Sequence, residues 1–292
     1  MQVSIIIINY NTFKLTCACI QSVIDKTAHI AYEIILVDNG SVECNPNLFK
    51  EKFPDIILVV SEKNSGFAAG NNLGLQVAKG EYMLLLNSDT LLVENCILLS
   101  IEKIKTLKDI GFLGIKAVFP DGSVQDTCSR LPTVKNVLYD LFLLHHIFPG
   151  LKNYYTLSKN FSPDAIWGCY MLFKKELLTY FKDNKLDESF FMYREDLLWC
   201  WQARKLNYTN YYYADTKLIH INKGSQNGDV VKEKMNLLMI DNYEKLKIII
   251  NGKVGIHFYR LLKKMLFYRS YITKRISRTF FKSEQNFEPG KI

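Results

Sequence analysis

Met83-Leu84-Leu85-Leu86-Asn87-Ser88-Asp89-Thr90 is an apolar run that ends abruptly in a polar tip carrying one carboxylate. Bounded by Gly80-Glu81 on one side and Asn87-Ser88-Asp89 on the other, the run reads as an interior strand of a parallel sheet, covered on both faces. In open α/β sheets, ligands bind just beyond the carboxyl ends of such strands. Asp89 therefore sits where chemistry is expected, and a hard oxygen ligand there suits a divalent cation that holds phosphates. A plain strand-to-helix turn with Asn87, Ser88 or Asp89 as helix N-cap fits the same residues. This stretch alone does not choose between the two.

Outward from it, the first half alternates strand and helix. Val3–Ile8 is a β-branched run, Asn9-Tyr10-Asn11-Thr12 a turn and N-cap, and Phe13 to Lys26 a helix. Glu33–Val37 is the next strand, closed by Asp38-Asn39-Gly40-Ser41. Ile56–Val60 follows, then Asn64-Ser65-Gly66 leads into a helix to about Val77. Tyr82–Leu86 is the fourth strand, and Glu94 to Lys108 the next helix. This alternation argues a parallel α/β sheet with right-handed crossovers.

Three strand ends finish in polar tips, so amides and carboxylates can converge on one ligand. Asp38 could accept hydrogen bonds from a base or ribose. Small residues across Gly66-Phe67-Ala68-Ala69-Gly70 would let a ligand approach the backbone N–H groups at a helix start. A dinucleotide fingerprint is discounted, because Gly66, Gly70 and Gly74 have the wrong spacing and follow the third strand.

Farther on, Phe112–Val118, Pro120-Asp121-Gly122 and Val124-Gln125 suggest a hairpin with Asp121 as a turn residue. Val134 to Phe148 is apolar. Its adjacent His145-His146 face different sides of a helix, which argues against a joint metal site. After Trp167–Phe173, an aromatic run is flanked by Asp187-Glu188 and Glu195-Asp196, and the second pair opens an apolar helix to about Lys205. That pair reads either as first-turn residues favoured by the helix dipole or as a general base beside an apolar wall. Tyr211–Ala214 reads as a strand. His220, after Lys217-Leu218-Ile219, would ordinarily be a surface or satisfied histidine.

Bulk properties bound the class. Apolar residues make up 48% and charged residues 23% of 292 positions, which suits a globular chain with a sizeable core. The seven cysteines form no CxxC pair and fit reduced, buried thiols in a reducing compartment. Neither a signal peptide nor a membrane-spanning run is expected. The net charge of +8 is concentrated: residues 255–282 hold eight Lys and Arg and no acid, so the remainder sums to zero (8 − 8). Nucleic acid is not an expected partner, because no binding motif accompanies that charge.

In order, Ser4-Ile5-Ile6-Ile7-Ile8-Asn9-Tyr10-Asn11, Val37-Asp38-Asn39-Gly40-Ser41, Asn64 to Asn72, Leu86-Asn87-Ser88-Asp89-Thr90, Gly168-Cys169-Tyr170-Met171-Leu172, Phe190 to Asp196 and His220 form a specific set. Carrying them, the chain resembles a family 2 glycosyltransferase of the GT-A fold, most of all the branch that includes bacterial polysaccharide rhamnosyltransferases. The resemblance covers about residues 3–225.

It implies a Rossmann-like, mixed but mainly parallel sheet flanked by helices, in a domain of residues 1–225, with a helical C-terminal extension over 226–292. Asp38 would contact the donor nucleobase, and Asn71 and the Gly66–Gly70 backbone would lie near the nucleotide. Asn9, Asn87 and Ser88 join them as donor-binding residues. Asp89, at the last position of a DxD-type motif, would hold Mg²⁺ or Mn²⁺ against the diphosphate, and His220 would complete those contacts. Asp196 matches the catalytic base, with Glu195 as second choice. Leu198 and Gln202 stand where the family usually has an Asp and an Arg.

The activity so implied is inverting transfer from a nucleoside-diphosphate sugar to a saccharide acceptor, lipid-linked in the favoured version, in bacterial surface polysaccharide synthesis. The donor is dTDP-rhamnose first and a UDP-hexose second. The alternative is a non-catalytic nucleotide-sugar-binding or membrane-docking protein of the same fold. Phe258, Leu261, Leu262, Met265, Leu266 and Tyr268 recur near helical spacing among basic residues. This fits a basic amphipathic helix on the inner face of the cell membrane in an otherwise cytoplasmic protein, or a helix packed on its own domain with a solvated basic face.

Overall fold

The computed structural model describes residues 1–143, 157–221 and 229–284. His145, His146, Phe148 and the Asn222–Ser225 stretch lie outside the described residues. By compactness the described chain falls into two units, residues 1–131, 157–221 and 229–244 in one and 132–143 with 245–284 in the other.

In the first unit the contiguous β-branched run forms β1 (Val3–Asn9), and helix α1 (Phe13–Lys26) follows it. β2 (Tyr32–Asn39), α2 (Asn47–Lys52), β3 (Ile57–Ser61), α3 (Phe67–Val77) and β4 (Tyr82–Asn87) continue the alternation. β1 lies between β2 and β4, parallel to both, with Asn9 opposite Asp38 and Ile8 opposite Asn87. Ile5, Ile6 and Ile7 are fully buried, so both faces of β1 are covered. Each such side chain contributes about 1.5–3 kcal/mol by leaving water. The helix α3 lies close to this strand, because a Cβ on Gly74 would come within 2.6 Å of the Ile6 side chain.

Beyond β4 the pattern departs from a simple parallel sheet. The tip after β4 leads into a short strand, β5 (Thr90–Leu92), and α4 begins only at Cys96 and ends at Lys105. The helix-capping alternative for Asn87-Ser88-Asp89 is therefore overturned. The acid expected to open α4, Glu94, instead accepts from Thr216 Oγ1 and the Lys217 backbone N–H, both at 2.7 Å.

β6 (Ile110–Val118) is followed by a turn in which Asp121 accepts from the Ser123 backbone N–H at 2.9 Å. The expected second hairpin arm is reduced to one bridge, Val118 to Val124. β7 (Cys128–Ser129) and β8 (Ala165–Ile166) form a separate two-stranded sheet. β9 (Tyr170–Lys174), α6 (Glu195–Lys205) and β10 (Thr209–His220) complete the unit. The main sheet has the order β3-β2-β1-β4-β9-β6-β10-β5. β9 is antiparallel to both β4 and β6, and β10 pairs parallel with β6 and antiparallel with β5. Four neighbouring pairs are thus parallel and three antiparallel. All seven cysteines are free, and six are buried.

The last helix, α7 (Asp229–Glu284), is interrupted at Gly252, whose φ of +69° is left-handed. In the second unit, α5 (Val134–Leu141) starts at Thr133, whose side chain accepts from Asn136 N–H. Val137 of α5 packs with Ile256, Tyr259 and Leu262 of α7. Phe258, Leu261, Met265, Phe267 and Tyr268 are exposed. Among the described residues, no helix is long and apolar enough to cross a membrane.

Candidate active site

The carboxyl ends of β1, β2 and β4 lie side by side, and a buried amide ties the first two together. Asn9 is fully buried. Its Nδ2 donates to Asp38 Oδ2 at 2.7 Å and to Ser41 Oγ at 2.9 Å, while its Oδ1 accepts from Thr16 at 2.8 Å and Thr12 at 3.1 Å. Both N–H groups and both lone pairs are used. Asn9, expected among the donor contacts, thus orients Asp38 from behind and has no capacity left for a ligand. Asp38 also accepts from the Ser41 backbone N–H at 3.0 Å, which fixes both its oxygens.

Gly66 is held by contacts inside the protein. Its φ of +93° and ψ of 174° belong to a region that only glycine occupies readily. The backbone of Phe191 fills the space beside it, so a Cβ there would lie 2.3 Å from the Phe191 carbonyl oxygen. That oxygen accepts from Phe67 N–H at 2.9 Å, and Gly66 N–H is taken by Asn64 Oδ1 at 3.0 Å. The small residues of this stretch let the loop carrying the second acidic pair close against α3.

Asn72 reinforces the closure, with Nδ2 donating to Leu186 O and Glu188 Oε1 at 2.8 Å and Oδ1 accepting from Leu186 N–H at 3.0 Å. Asn71 is 1% exposed. Its amide nitrogen donates to Phe67 O at 2.9 Å, and its buried Oδ1 has no partner among the described residues.

Asn87 and Ser88 are half-buried at the tip, where Ser88 Oγ is 3.4 Å from Thr12 Oγ1. Asp89 is buried, and His220 lies beside it because β10 pairs with β5, setting His220 opposite Thr90. Ile221 N–H donates to Asp89 O at 2.9 Å, and His220 Nε2 is 3.3 Å from Asp89 Oδ1. His220 is the last residue of a strand, with its side chain 12% exposed, so it is not a surface histidine; its Nδ1 is 2.9 Å from Gln125 Oε1, which fits the satisfied-histidine alternative. Among the described residues, no three His, Cys, Asp or Glu side chains form a metal-binding group. Asp89 and His220 together offer one carboxylate and one imidazole, donor types that a divalent cation accepts.

The second acidic pair reaches this end through Gly168 and Cys169. Asn87 N–H donates to Cys169 O at 3.2 Å, and Gly168 N–H donates to Asp196 Oδ2 at 3.0 Å. Burial pushes the Cys169 thiol up to about 12, with the charges of both Asp89 and Asp196 adding to the shift. The two carboxylates thus bracket one residue.

Asp196 Oδ1 accepts from Leu197 N–H at 2.8 Å. Burial raises its proton affinity, and the two backbone N–H bonds hold it back. Glu195 is more enclosed, and its Oε2 has no partner. Burial first, then the charge of Asp196, pushes its carboxyl up to about 8. Leu198 is buried, and Gln202 Nε2 donates to Asp187 Oδ2 at 2.8 Å. A cavity of about 370 Å³ lined by Lys182, Lys185, Asp187, Glu188, Ser189 and Gln202 adjoins this contact rather than Asp89 or Asp196.

Sequence reasoning missed the roles of Asn72, of Gln125 and of Asn39, whose side chain donates to Asn64 Oδ1 and Gly66 O and accepts from Ser65. Asn39 and Asn72 stood inside recognised stretches, but their partners are 25 or more residues away. Gln125 carried no local signal; it bonds His220, 95 residues away.

The Glycosyl transferase family 2 model matches residues 4–181. Glycosyltransferase GlyG of Streptococcus pneumoniae serotype 4 is 34% identical over 101 residues, covering 32% of this chain and 32% of that protein. A poly(ribitol-phosphate) beta-glucosyltransferase of Bacillus spizizenii is 35% identical over 94 residues, covering 30% of this chain and 15% of that protein. The chain therefore spans a third or less of these two relatives.

Among solved structures, the mannosyltransferase PcManGT of Pyrobaculum calidifontis, in complex with GDP-Man and Mn²⁺, is similar with a TM-score of 0.57 at 14% identity. That likeness covers 99% of this chain and 81% of PcManGT. S. aureus TarS gives a TM-score of 0.53 at 18% identity, over 93% of this chain and 44% of TarS. At these identities the likeness concerns the fold alone, which is GT-A. With a family match over more than half its length and the strand-end site in place, this chain belongs to glycosyl transferase family 2.

Proposed function

We propose that the chain transfers a sugar with inversion from a nucleoside-diphosphate sugar to a saccharide acceptor. The observation that carries this reading is the pair of separately held carboxylates, Asp89 and Asp196, on either side of Gly168-Cys169. Inverting transfer asks for two jobs, deprotonating the acceptor and offsetting charge on the leaving diphosphate.

Asp196 is the base in this reading. Two backbone N–H groups orient it, and burial strengthens its hold on a proton. It takes the proton from the acceptor hydroxyl as that oxygen bonds to the anomeric carbon and the bond from that carbon to the diphosphate breaks. Glu195 is the more enclosed neighbour, its carboxyl raised by burial first and then by the charge of Asp196. Asp89 and His220 would hold Mg²⁺ or Mn²⁺, whose chemistry there is to neutralise the leaving nucleoside diphosphate. Asp38, Asn71, Asn87 and Ser88 receive the nucleotide, and Asn9 and Gly66 support that surface from within.

A dTDP-rhamnose donor, with a UDP-hexose second, follows from the branch that the sequence resembles. The acceptor belongs to a surface polysaccharide and is lipid-linked. Residues 253–268 support a cytoplasmic enzyme resting on the membrane, because the helix buries one apolar stripe and exposes another beside Lys263 and Lys264. The buried stripe by itself fits a helix packed on its own unit with a solvated basic face; the exposed Phe258, Leu261 and Met265 are what support the membrane reading.

A thermal-shift panel of UDP, dTDP, GDP and CDP, each with and without Mn²⁺, tests the donor reading, since a ligand of the folded state raises the melting temperature with saturation. Metal-dependent stabilisation by dTDP supports the rhamnosyl donor, and by UDP the hexosyl donor. No shift with any nucleotide favours the non-catalytic docking alternative.

A further inference from the structure

Gln125 lies on the turn after β6, 5% exposed, with its backbone N–H donating to Ala117 O at 2.9 Å. Its side chain makes two contacts with a single residue. The amide nitrogen donates to the His220 carbonyl oxygen, and the amide oxygen is 2.9 Å from His220 Nδ1.

The first contact decides the second. With the nitrogen committed to a carbonyl, the oxygen faces the ring, so Nδ1 must be the N–H donor. In the neutral imidazole, Nε2 then carries the lone pair. That lone pair faces Asp89 Oδ1 at 3.3 Å in a largely buried setting. Two electron-rich atoms held that close repel one another unless a positive centre is shared between them.

We propose that Gln125 is a positioning residue that locks His220 in the Nδ1–H tautomer, so that Nε2 and Asp89 present their lone pairs together to a divalent cation. The proposal rests on the metal reading of Asp89 and His220. A ligating histidine is characteristically held this way through its other nitrogen, and loss of such a partner typically weakens metal binding about 10–100-fold. Gln125 sits on a different segment from either ligand, so it couples the turn after β6 to the ends of β4 and β10.

The test uses the full chain and Mn²⁺ alone, with bound ion counted from the loss of the free-ion paramagnetic resonance signal. Gln125→Leu is expected to weaken Mn²⁺ binding by about tenfold or more. Gln125→Glu, which keeps an acceptor for Nδ1–H but loses the donor to the His220 carbonyl, is expected to bind Mn²⁺ more tightly than Gln125→Leu. In the metal-free wild type, nitrogen-15 resonances of His220 should show one protonated and one bare ring nitrogen. Wild-type Mn²⁺ affinity in Gln125→Leu overturns the proposal and leaves the metal reading standing. Equal loss in the Leu and Glu variants, with a matching fall in melting temperature, also overturns it, because the role is then structural. A doubly protonated ring at neutral pH overturns it in favour of a plain ion pair. Wild-type protein that binds no Mn²⁺ overturns both readings.

Discussion

Replacing Gly66 by alanine tests how the base-bearing loop is held against α3. The added Cβ would lie 2.3 Å from the carbonyl oxygen of Phe191, on a backbone with φ of +93°. A non-glycine residue in that conformation costs about 1–3 kcal/mol. Moving the Phe191 carbonyl away would also strain the 2.9 Å bond from Phe67 N–H, worth about 1 kcal/mol. The expected destabilisation is therefore about 2–4 kcal/mol, read as a lower urea midpoint at unchanged slope. Phe191 is five residues before Asp196, so the displacement should reach the base. Misplacement on the order of 1 Å can lower turnover about a hundredfold. Gly66→Ala with stability within about 0.5 kcal/mol of wild type and unchanged turnover would refute this account of the glycine.

Three further outcomes follow from the same geometry. Because burial raises the folded Glu195 carboxyl from 4.5 to about 8, its contribution to stability is complete below the unfolded value and is lost as pH rises towards 8. Wild-type stability should fall across that window by at most about 1.4 kcal/mol per pH unit, and Glu195→Gln should flatten the slope; parallel profiles in a pH series of urea melts would contradict this. Asn72→Ala should free the 186–188 segment from α3 and destabilise by about 1–3 kcal/mol through buried groups left unpaired. Faster hydrogen exchange confined to that segment would confirm it, and unchanged protection would count against it. Phe258→Ser with Leu261→Ser should reduce co-sedimentation with phosphatidylglycerol vesicles about a hundredfold, from roughly 3 kcal/mol of lost apolar burial, whereas undiminished binding would locate the membrane contact elsewhere.

Much of this fold is local and therefore readable. The run from Val3 and the helix Phe13–Lys26 need only a few consecutive residues, and the strand ends at Asp38 and Asp89 announce themselves by an abrupt change of polarity. What could not be read is set by pairing across long separations. Nothing within Tyr170–Lys174 says that it runs antiparallel between β4 and β6. Thr90-Leu91-Leu92 becomes a strand because β10 supplies its partner, and the expected start of α4 yields because Glu94 is engaged by Thr216 and Lys217.

The site divides the same way. Asp89, His220 and Asp196 were nominated by their order among the motifs of the resembled family, and the structure sets His220 beside Asp89. The buried support was not nominated, because Gly66's neighbour is the Phe191 carbonyl and His220's is Gln125. Asn9 looked like a ligand contact because it sits at a strand end, yet its hydrogen bonds are consumed by Asp38, Ser41, Thr12 and Thr16.

The most direct test of the central claim, that Asp196 is the base acting on an acceptor beside a separately held donor, compares Asp196→Asn with wild type in both donor affinity and turnover. The donor is the sugar nucleotide identified by the nucleotide panel, and turnover is followed as release of its nucleoside diphosphate. Loss of about 10²–10⁴-fold in turnover, with donor affinity unchanged, is the predicted result. Turnover that survives the substitution, or donor binding lost in the same proportion as turnover, would contradict it.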